Sequence, residues 1–237
     1  MLLNPADLAH DPDTLEQIEK ASLRLVTQAI LEYRSLAEEI FIREGDLVAD
    51  IGEDITREAM DRLGTSRIDR RLFGKIDYKR ARYLFLPEFA VKQALFVDSK
   101  AEATSAKNVA RLQTSQISMT VKQVRGGQEI TEYGKLPTVL DFNGELFLTS
   151  TVFVKYNYVK KQGSNSLHST TVVALPNGML QSRYNPDHHH SIWTAGPNAP
   201  TRGEAFRVRL SFSRLKGIAP WRVQEIPSSP SQFKWRE

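Results

Sequence analysis

Leu95-Phe96-Val97-Asp98-Ser99-Lys100 is the segment from which the architecture of this chain follows. Its three apolar residues predict a strand buried on both faces, because such a strand lacks the apolar-polar alternation of a half-exposed one. Side chains two residues apart on a strand point to the same face, so Asp98 and Lys100 project together, roughly 7 Å apart at the backbone. A charged pair at the end of an apolar strand costs free energy unless it is paired or binds a ligand, which marks this pair as a candidate site.

A second carboxylate, Asp77, lies on the strand predicted before this one. Residues 74–86 and 91–101 are predicted to be two strands joined by a turn at Leu86-Pro87-Glu88-Phe89, which brings the chain back alongside itself. Two carboxylates can hold Mg²⁺, a hard cation that prefers oxygen ligands, acidifies water and offsets charge on a phosphate. An ammonium group beside that water, here Lys100, can lower its pKa and bind the phosphate. Together the three side chains suit hydrolysis of a phosphodiester.

Two other interpretations stay open on spacing alone. This composition produces about one or two acid-x-lysine triplets by chance. A competing triplet, Asp77-Tyr78-Lys79, could form the core of the site with Asp54 or Glu53 as the first acid. The acids could also do no more than balance nearby arginines. Glu53 is kept as a candidate outer acid of the metal site.

The bulk composition is that of a soluble globular protein, with 237 residues of which 41% are hydrophobic and 25% charged. The length, without internal repeats, predicts one domain over residues 1–237. No apolar run approaches the roughly 18 residues that a membrane span needs, and the N-terminus lacks the features of a signal peptide. The absence of cysteine excludes disulfides and thiolate metal sites and fits a cytoplasmic location. The net charge of +4 permits a polyanionic partner without identifying one.

The remaining periodicity predicts helices packed on the faces of a mixed central sheet, an α/β fold. Apolar residues at three- and four-residue steps predict three helices, the second capped by Asp54 and ended by Gly64: 14–42, 54–63 and 105–118. Apolar runs and alternation predict three further strands, the first of them preceded by a turn at Gly126-Gly127: 146–159, 169–175 and 205–212. Proline and serine predict an irregular tail over 227–231.

Two arginine-rich segments, residues 67–82 and a group near the C-terminus, favour contact with phosphates. In the last predicted strand, Arg207 and Arg209 point to one face, opposite Val208 and Leu210. Two forked guanidinium groups on a strand can pair with guanine in the major groove. A solvent-facing strand surface is the alternative that the pattern alone leaves open.

The sequence resembles the SfiI family of type II restriction endonucleases. The resemblance covers nearly the whole chain in the same order and is carried by short motifs: Ala21-Ser22-Leu23-Arg24, Glu53-Asp54-Ile55-Thr56, Ile68-Asp69-Arg70-Arg71, Ile76-Asp77-Tyr78-Lys79-Arg80, Val97-Asp98-Ser99-Lys100-Ala101, Arg183-Tyr184-Asn185-Pro186-Asp187, Arg202-Gly203-Glu204, Arg207-Val208-Arg209, Pro220-Trp221-Arg222 and Trp235-Arg236. The spacing from Asp77 to Asp98 also matches that of the family, which favours this pair over the competing triplet.

The resemblance implies a restriction-endonuclease-like (PD-D/ExK) fold, a central mixed β-sheet flanked by helices. It implies that Asp77 and Asp98 are metal ligands, that Lys100 is the catalytic lysine and that the backbone carbonyl of Ser99 is a further ligand of Mg²⁺. The implied reaction is cleavage of both strands of double-stranded DNA at an interrupted, GC-rich palindrome. A structure-specific repair or recombination nuclease and a DNA-binding protein that does not cleave are the alternative functions.

The resemblance also implies a homotetramer that engages two DNA sites at once, with a dimer as the fallback. The chain departs from the family around Gly45-Asp46 and over residues 120–145, and it stops soon after Trp235-Arg236. These departures concern the tetramer contacts and the spacer of the palindrome more than the chemistry. No membrane partner is expected.

Within the single endonuclease domain, the catalytic core is predicted over about residues 50–120 and the DNA-reading region over about 183–225. Base contacts are expected from four residues: Arg202, Glu204, Arg207 and Arg209. Lys79 and Arg80 are expected to hold phosphates beside the scissile bond. His188-His189-His190 is predicted to lie in a loop and not to bind a metal, because consecutive residues do not easily converge on one ion.

Overall fold

A six-stranded sheet forms the centre of the structure, a computed structural model that describes residues 2–44, 48–64, 81–104, 108–161, 164–195 and 207–237. The helices are α1 (Pro12–Glu32), α2 (Arg34–Arg43), α3 (Val48–Asp61), α4 (Gln181–Tyr184) and α5 (Phe212–Ile218). The strands are β1 (Arg82–Leu86), β2 (Val91–Ala103), β3 (Val109–Gln113), β4 (Val121–Arg125), β5 (Gln128–Glu132), β6 (Val139–Phe142), β7 (Glu145–Lys161), β8 (Ser164–Leu175), β9 (Arg207–Ser211) and β10 (Val223–Pro227).

The sheet is mixed, as predicted. Its order is β1-β2-β7-β8-β10, and β6 also pairs with β7. The two longest strands, β2 and β7, run parallel, whereas the other neighbours in the sheet are antiparallel. In the register of the parallel pair, Asp98 lies beside Phe153 and Lys100 beside Lys155. The parallel pair therefore carries the predicted charged residues through the middle of the sheet.

The two faces of the sheet are covered by different elements. On one face α3 packs against β2, and α1 and α2 pack against β8. Ser99 points to this face, since its hydroxyl donates to the carbonyl oxygen of Gly52 in α3 at 3.1 Å. On the other face the antiparallel ribbon β3–β9 and α5 lie over β2 and β7, and the rings of Phe153 and Phe212 are 6.4 Å apart. Because side chains alternate along β2, Asp98 and Lys100 lie on the ribbon side.

The first predicted helix is wrong in its continuity. The helical pattern over 14–42 is divided at Tyr33, whose ψ of −3° ends α1 before α2 begins at Arg34. Tyr33 is buried, and its hydroxyl donates to the carboxylate of Glu58 in α3. The break is therefore fixed by packing between helices, which the periodicity of a single helix does not contain.

The second helix begins earlier than predicted. It spans Val48–Asp61, so Asp54 is not a cap but lies in the body of the helix, exposed and 2.6 Å from Arg57. The predicted end is confirmed, because Gly64 follows the helix with a φ of +66°. A positive φ costs glycine little, which explains why the chain turns there.

The helix predicted over 105–118 is wrong. Residues 108–118 hold strand β3 and a single 3₁₀ turn, Thr114–Gln116, whereas residues 105–107 lie outside the described residues. β3 pairs with β9, from Val109 opposite Ser211 to Gln113 opposite Arg207. Pairing with a strand distant in sequence overrides the local helical spacing.

The other predicted elements are confirmed with shifted ends. The strand predicted over 91–101 is β2, that over 146–159 is β7, that over 169–175 forms the end of the longer β8, and that over 205–212 is β9 within Arg207–Ser211. Gly126 and Gly127 form the turn of the β4–β5 hairpin with φ values of +55° and +78°. The first part of the strand predicted over 74–86 lies outside the described residues. Nowhere in the described helices is there a stretch long and apolar enough to cross a membrane.

Candidate active site

Asp98 lies in the middle of the sheet, where the parallel pairing of β2 with β7 buries it. Only 3% of its surface is exposed, on the face of β2 that the β3–β9 ribbon covers. The strand places it beside Phe153, an apolar residue that is 1% exposed. A carboxylate in such surroundings loses most of its hydration, which costs free energy. A cation bound beside it would offset that cost.

Lys100 shares this face and connects Asp98 to the ribbon. Its Nζ atom lies 3.9 Å from Oδ2 of Asp98 and donates to the backbone carbonyl oxygen of Arg111 at 2.5 Å. Burial lowers the pKa of Lys100, and the positive charges of Arg207 and Arg111 act in the same direction, opposed by Glu102 and Glu53. A lysine whose pKa is lowered beside a buried carboxylate is typical of an active site.

Glu53 lies on α3, which packs against the face of β2 opposite Asp98 and Lys100. The helix α3 lies close to β2 at Gly52, which has no side chain. A Cβ atom at this position would lie 3.2 Å from the backbone nitrogen of Ala101. Glu53 is exposed, and its charge acts to raise the pKa of Lys100. The role of Glu53 as an outer acid of the metal site stays a prediction.

The chemistry of the donors fits a hard divalent cation. Asp98 supplies a buried carboxylate and Ser99 a backbone carbonyl, and Mg²⁺ prefers oxygen ligands and retains several waters. Within the described ranges, no three histidine, aspartate or glutamate side chains converge as a metal cluster. The second predicted carboxylate, Asp77, lies outside the described residues, together with Lys79 and Arg80.

The predicted DNA-reading strand lies next to this site. Arg209 pairs in register with Arg111 across the β3–β9 ribbon, and only 9% of its surface is exposed. Burial lowers the pKa of Arg209, and the positive charges of Arg111, Arg125 and Arg207 lower it further. Arg209 therefore does not lie on an ordinary solvent-facing strand surface. Its guanidinium group lies within the positive field of three other arginines, Arg111, Arg125 and Arg207.

Two of the four predicted base-reading residues are not among the residues that the structure describes. Arg202 and Glu204 fall within residues 196–206, outside the described part of the chain. Arg207 is half-buried at the start of β9, and its charge acts on both Lys100 and Arg209. The β3–β9 ribbon, which carries Arg111 and Arg207, therefore lies next to the strand that holds Lys100.

The histidine-rich segment is a loop, as predicted. His188 and His189 approach the carboxylate of Glu129 at 3.4 and 3.6 Å, and His190 lies 2.9 Å from Asp187. These contacts join the loop to the β4–β5 hairpin and to itself.

Three charged residues of the site were missed at the level of sequence. Glu102 lies two residues after Lys100 on the same face of β2, so alternation alone could have identified it. Lys155 lies within the long buried stretch of β7, and a buried charge of that kind is itself a signal. Arg111 was hidden because its segment was predicted to be helical.

Comparison with known proteins gives the same family at the levels of sequence and structure. A family model described as type II restriction enzyme SfiI matches residues 21–226. The type II restriction enzyme SfiI of Streptomyces fimbriatus is 36% identical over 245 aligned positions, covering 95% of this chain and 90% of the relative.

Two solved structures are similar over almost the full length. The crystal structure of tetrameric restriction endonuclease SfiI bound to cognate DNA has a TM-score of 0.80 at 36% identity, over 95% of this chain and 90% of that chain. Restriction endonuclease BglI bound to its DNA recognition sequence has a TM-score of 0.73 at 17% identity, over 94% of each chain. The second likeness bears on the fold alone. The predicted restriction-endonuclease-like α/β fold is confirmed.

Proposed function

Because the chain belongs to the SfiI family of type II restriction enzymes, we propose that it cuts both strands of duplex DNA with Mg²⁺ at a specific, interrupted, GC-rich palindrome. The observation that carries the proposal is the buried Asp98 with Lys100 on the same face of β2, 3.9 Å apart, beneath a ribbon that holds a cluster of arginines. A carboxylate for the metal, an ammonium group for the phosphate and guanidinium groups for DNA are the parts that such a reaction needs. We propose the cytoplasm as the compartment, because a chain without cysteine forms no disulfides that would need an oxidising environment.

In this proposal Asp98 and the carbonyl oxygen of Ser99 hold the metal, with Asp77 as the second carboxylate. β1 runs antiparallel to β2 with Arg82 opposite Leu95, so β1 begins at the end of this strand pair that is nearer to Asp98. That direction supports a ligand contributed from the residues before β1, among which Asp77 stands. Glu53 is the proposed outer acid. When bound there, Mg²⁺ supplies an acidified water and offsets the charge that builds on the phosphate.

The chain's own residues then orient the reacting groups. Lys100 presents its ammonium group to the scissile phosphate and to the attacking water, and its lowered pKa eases release of a proton at Nζ. Asp98 limits the direction in which this ammonium group can point, since the two side chains share one face. The β3–β9 ribbon above them restricts access of bulk water, which strengthens each of these electrostatic interactions.

DNA recognition is proposed for the reading strand and for the segments on either side of it. Arg207 and Arg209 pair with guanine bases in the major groove, with Arg202 beside them and Glu204 accepting from cytosine or orienting an arginine. Lys79 and Arg80 hold phosphates beside the scissile bond and so position the DNA without reading its sequence.

Digestion of a long DNA of known sequence tests the activity. With Mg²⁺ the proposal predicts discrete fragments whose sequenced ends share one palindrome, and a chelator should abolish them. Cutting only at junctions and flaps would instead identify a structure-specific repair nuclease. Binding without any cut, in Mg²⁺ or Mn²⁺, would identify a DNA-binding protein that does not cleave.

The assembly we propose is a homotetramer, with a dimer as the fallback. A palindrome is read most simply by two copies related by a two-fold axis, because each half-site then meets the same surface. The solved relative with a TM-score of 0.80 is tetrameric, which supports two such dimers. Light scattering should give four times 26.9 kDa, and plasmids with two sites should be cut faster than those with one. A monomer that nicks one strand at a time would contradict this assembly.

A further inference from the structure

A buried ion pair lies directly beside the catalytic lysine, on residues that the reaction does not use. Lys155, in the middle of β7, has a side chain that is only 2% exposed, and its Nζ atom lies 3.0 Å from Oε2 of Glu102. Glu102 is 16% exposed and stands on β2 two residues after Lys100. Removing charges from water costs free energy, so a pair at this position calls for an explanation in the site itself.

The other oxygen of Glu102 is also engaged by a basic group. Its Oε1 atom lies 3.8 Å from a guanidinium nitrogen of Arg111. Arg111 is the residue whose backbone carbonyl accepts from Nζ of Lys100 at 2.5 Å. Glu102 therefore connects Lys155 on β7 to the segment of β3 on which the catalytic ammonium group rests.

Lys100 stands between two carboxylates on one face of β2. Asp98 precedes it by two residues and Glu102 follows it by two, so each is about 7 Å away along the strand. A flexible lysine can bend toward either one, but only the contact with Asp98 serves catalysis. In the structure Nζ lies 3.9 Å from Asp98, while both oxygens of Glu102 face Lys155 and Arg111.

We propose that Lys155 is a positioning residue, which occupies the carboxylate of Glu102 and thereby directs the catalytic Lys100 toward Asp98. The expected effect on the cleavage rate rests on the proposed nuclease function, whereas the expected position of Lys100 does not. Without the Lys155 charge, the partly buried Glu102 carboxylate loses the cation at 3.0 Å and attracts Lys100, the nearest ammonium group on its own strand. The site would then keep its DNA-binding surface but lose the aligned lysine.

The first test is Lys155→Met, which keeps the length of the side chain and removes its charge. Single-turnover cleavage should slow by about 10- to 100-fold, as for residues that orient the groups of a metal site. Specific DNA binding in Ca²⁺ should be unchanged, because the reading strand is not altered. Lys92→Met is the matched control, since Lys92 and Glu145 also join β2 to β7, at 2.7 Å but far from the site. The control should cleave like wild type.

The second test removes the competing carboxylate as well. Lys155→Met combined with Glu102→Gln should cleave faster than Lys155→Met alone, because Lys100 is no longer drawn away from Asp98. If Lys155→Met cleaves at the wild-type rate, or if the double variant is no faster than the single one, the positioning role is wrong. If Lys155→Met does not fold, the double variant alone decides. Cleavage within about tenfold of the wild-type rate supports the proposal. Cleavage as slow as that of Lys100→Met overturns it.

A crystal structure of Lys155→Met separates this proposal from the nuclease function itself. The proposal predicts that Nζ of Lys100 leaves the Arg111 carbonyl and contacts the carboxylate of Glu102. An unchanged Lys100 would overturn it whether or not the wild-type protein cuts DNA. Absence of cleavage by wild type, with Lys100 displaced in the variant, would contradict only the proposed function.

Discussion

Removing one partner of the buried ion pair between Glu19 and Arg222 should destabilise this protein far more than removing one partner of an exposed pair. Arg222 has a fully buried side chain, Glu19 is 2% exposed, and Nη2 lies 2.6 Å from Oε2. The pair joins α1 to the residues before β10, so it holds the first helix against the C-terminal part of the fold. Arg222→Met leaves the Glu19 carboxylate buried without this cation, and we expect a loss of about 3–5 kcal/mol in the free energy of unfolding.

Urea unfolding followed by circular dichroism measures this loss as a fall in the midpoint at constant slope. For a chain of this size, about 2–4 °C per kcal/mol converts the expected loss to a fall of roughly 6–20 °C in Tm. Arg222→Met with Glu19→Gln should be more stable than Arg222→Met, since it leaves no charge buried alone. The exposed pair of Arg43 with Glu39 is the control, and Arg43→Met should change stability by less than about 0.5 kcal/mol. A double variant as unstable as Arg222→Met would refute the reasoning.

Three further predictions concern the site and its surroundings. Lys100→Met should slow cleavage by about 10²- to 10³-fold with unchanged specific binding in Ca²⁺, and a rate near wild type would exclude it from catalysis. Arg209→Ala should lower the discrimination between guanine and other bases at one position by about 1–3 kcal/mol. Lys79→Ala should instead weaken binding to all sequences and flatten the salt dependence of binding. If Arg209→Ala loses equal affinity for cognate and random DNA, Arg209 does not read a base. Hydrogen bonds from the backbone N–H and then the side chain of His190 lower the pKa of Asp187 from 3.8 to about 2. The stabilisation by the ionised Asp187 is therefore present above pH 3.8 and should disappear as the pH falls toward 2. An NMR titration of Asp187 with a midpoint near 3.8 would contradict that assignment.

Strand β2 could be predicted from the sequence because the pattern that indicates it lies within a few consecutive residues. An uninterrupted apolar run that ends in Asp98 and Lys100 contains both the burial of β2 and the common face of the two charges. The long strand β7 was predictable for the same reason, from its own apolar residues. Asp77 was predicted from the turn that joins its strand to the next one, and the family resemblance favoured it over the competing triplet; it lies outside the described residues.

Features that depend on contacts between distant segments could not be predicted in this way. β3 has helical spacing, and only its pairing with β9 makes it a strand. The break at Tyr33 depends on Glu58 in another helix. Lys155 and Arg111 meet Glu102 only because β2 and β7 are parallel in one register and because the ribbon lies above them. Their role in the site follows from the three-dimensional structure and not from any one segment.

The role of Asp98 is tested most directly by comparing Asp98→Ala with wild type on one duplex that carries the recognition sequence. Cleavage in Mg²⁺ and equilibrium binding in Ca²⁺ are measured on the same preparations, because Ca²⁺ fills oxygen-ligand sites but supports this chemistry poorly. Both strands should be cut by wild type and neither by Asp98→Ala, while the variant still prefers the cognate duplex over random DNA in Ca²⁺. Cleavage of both strands by Asp98→Ala at the wild-type rate would contradict the assignment of this buried carboxylate to the metal.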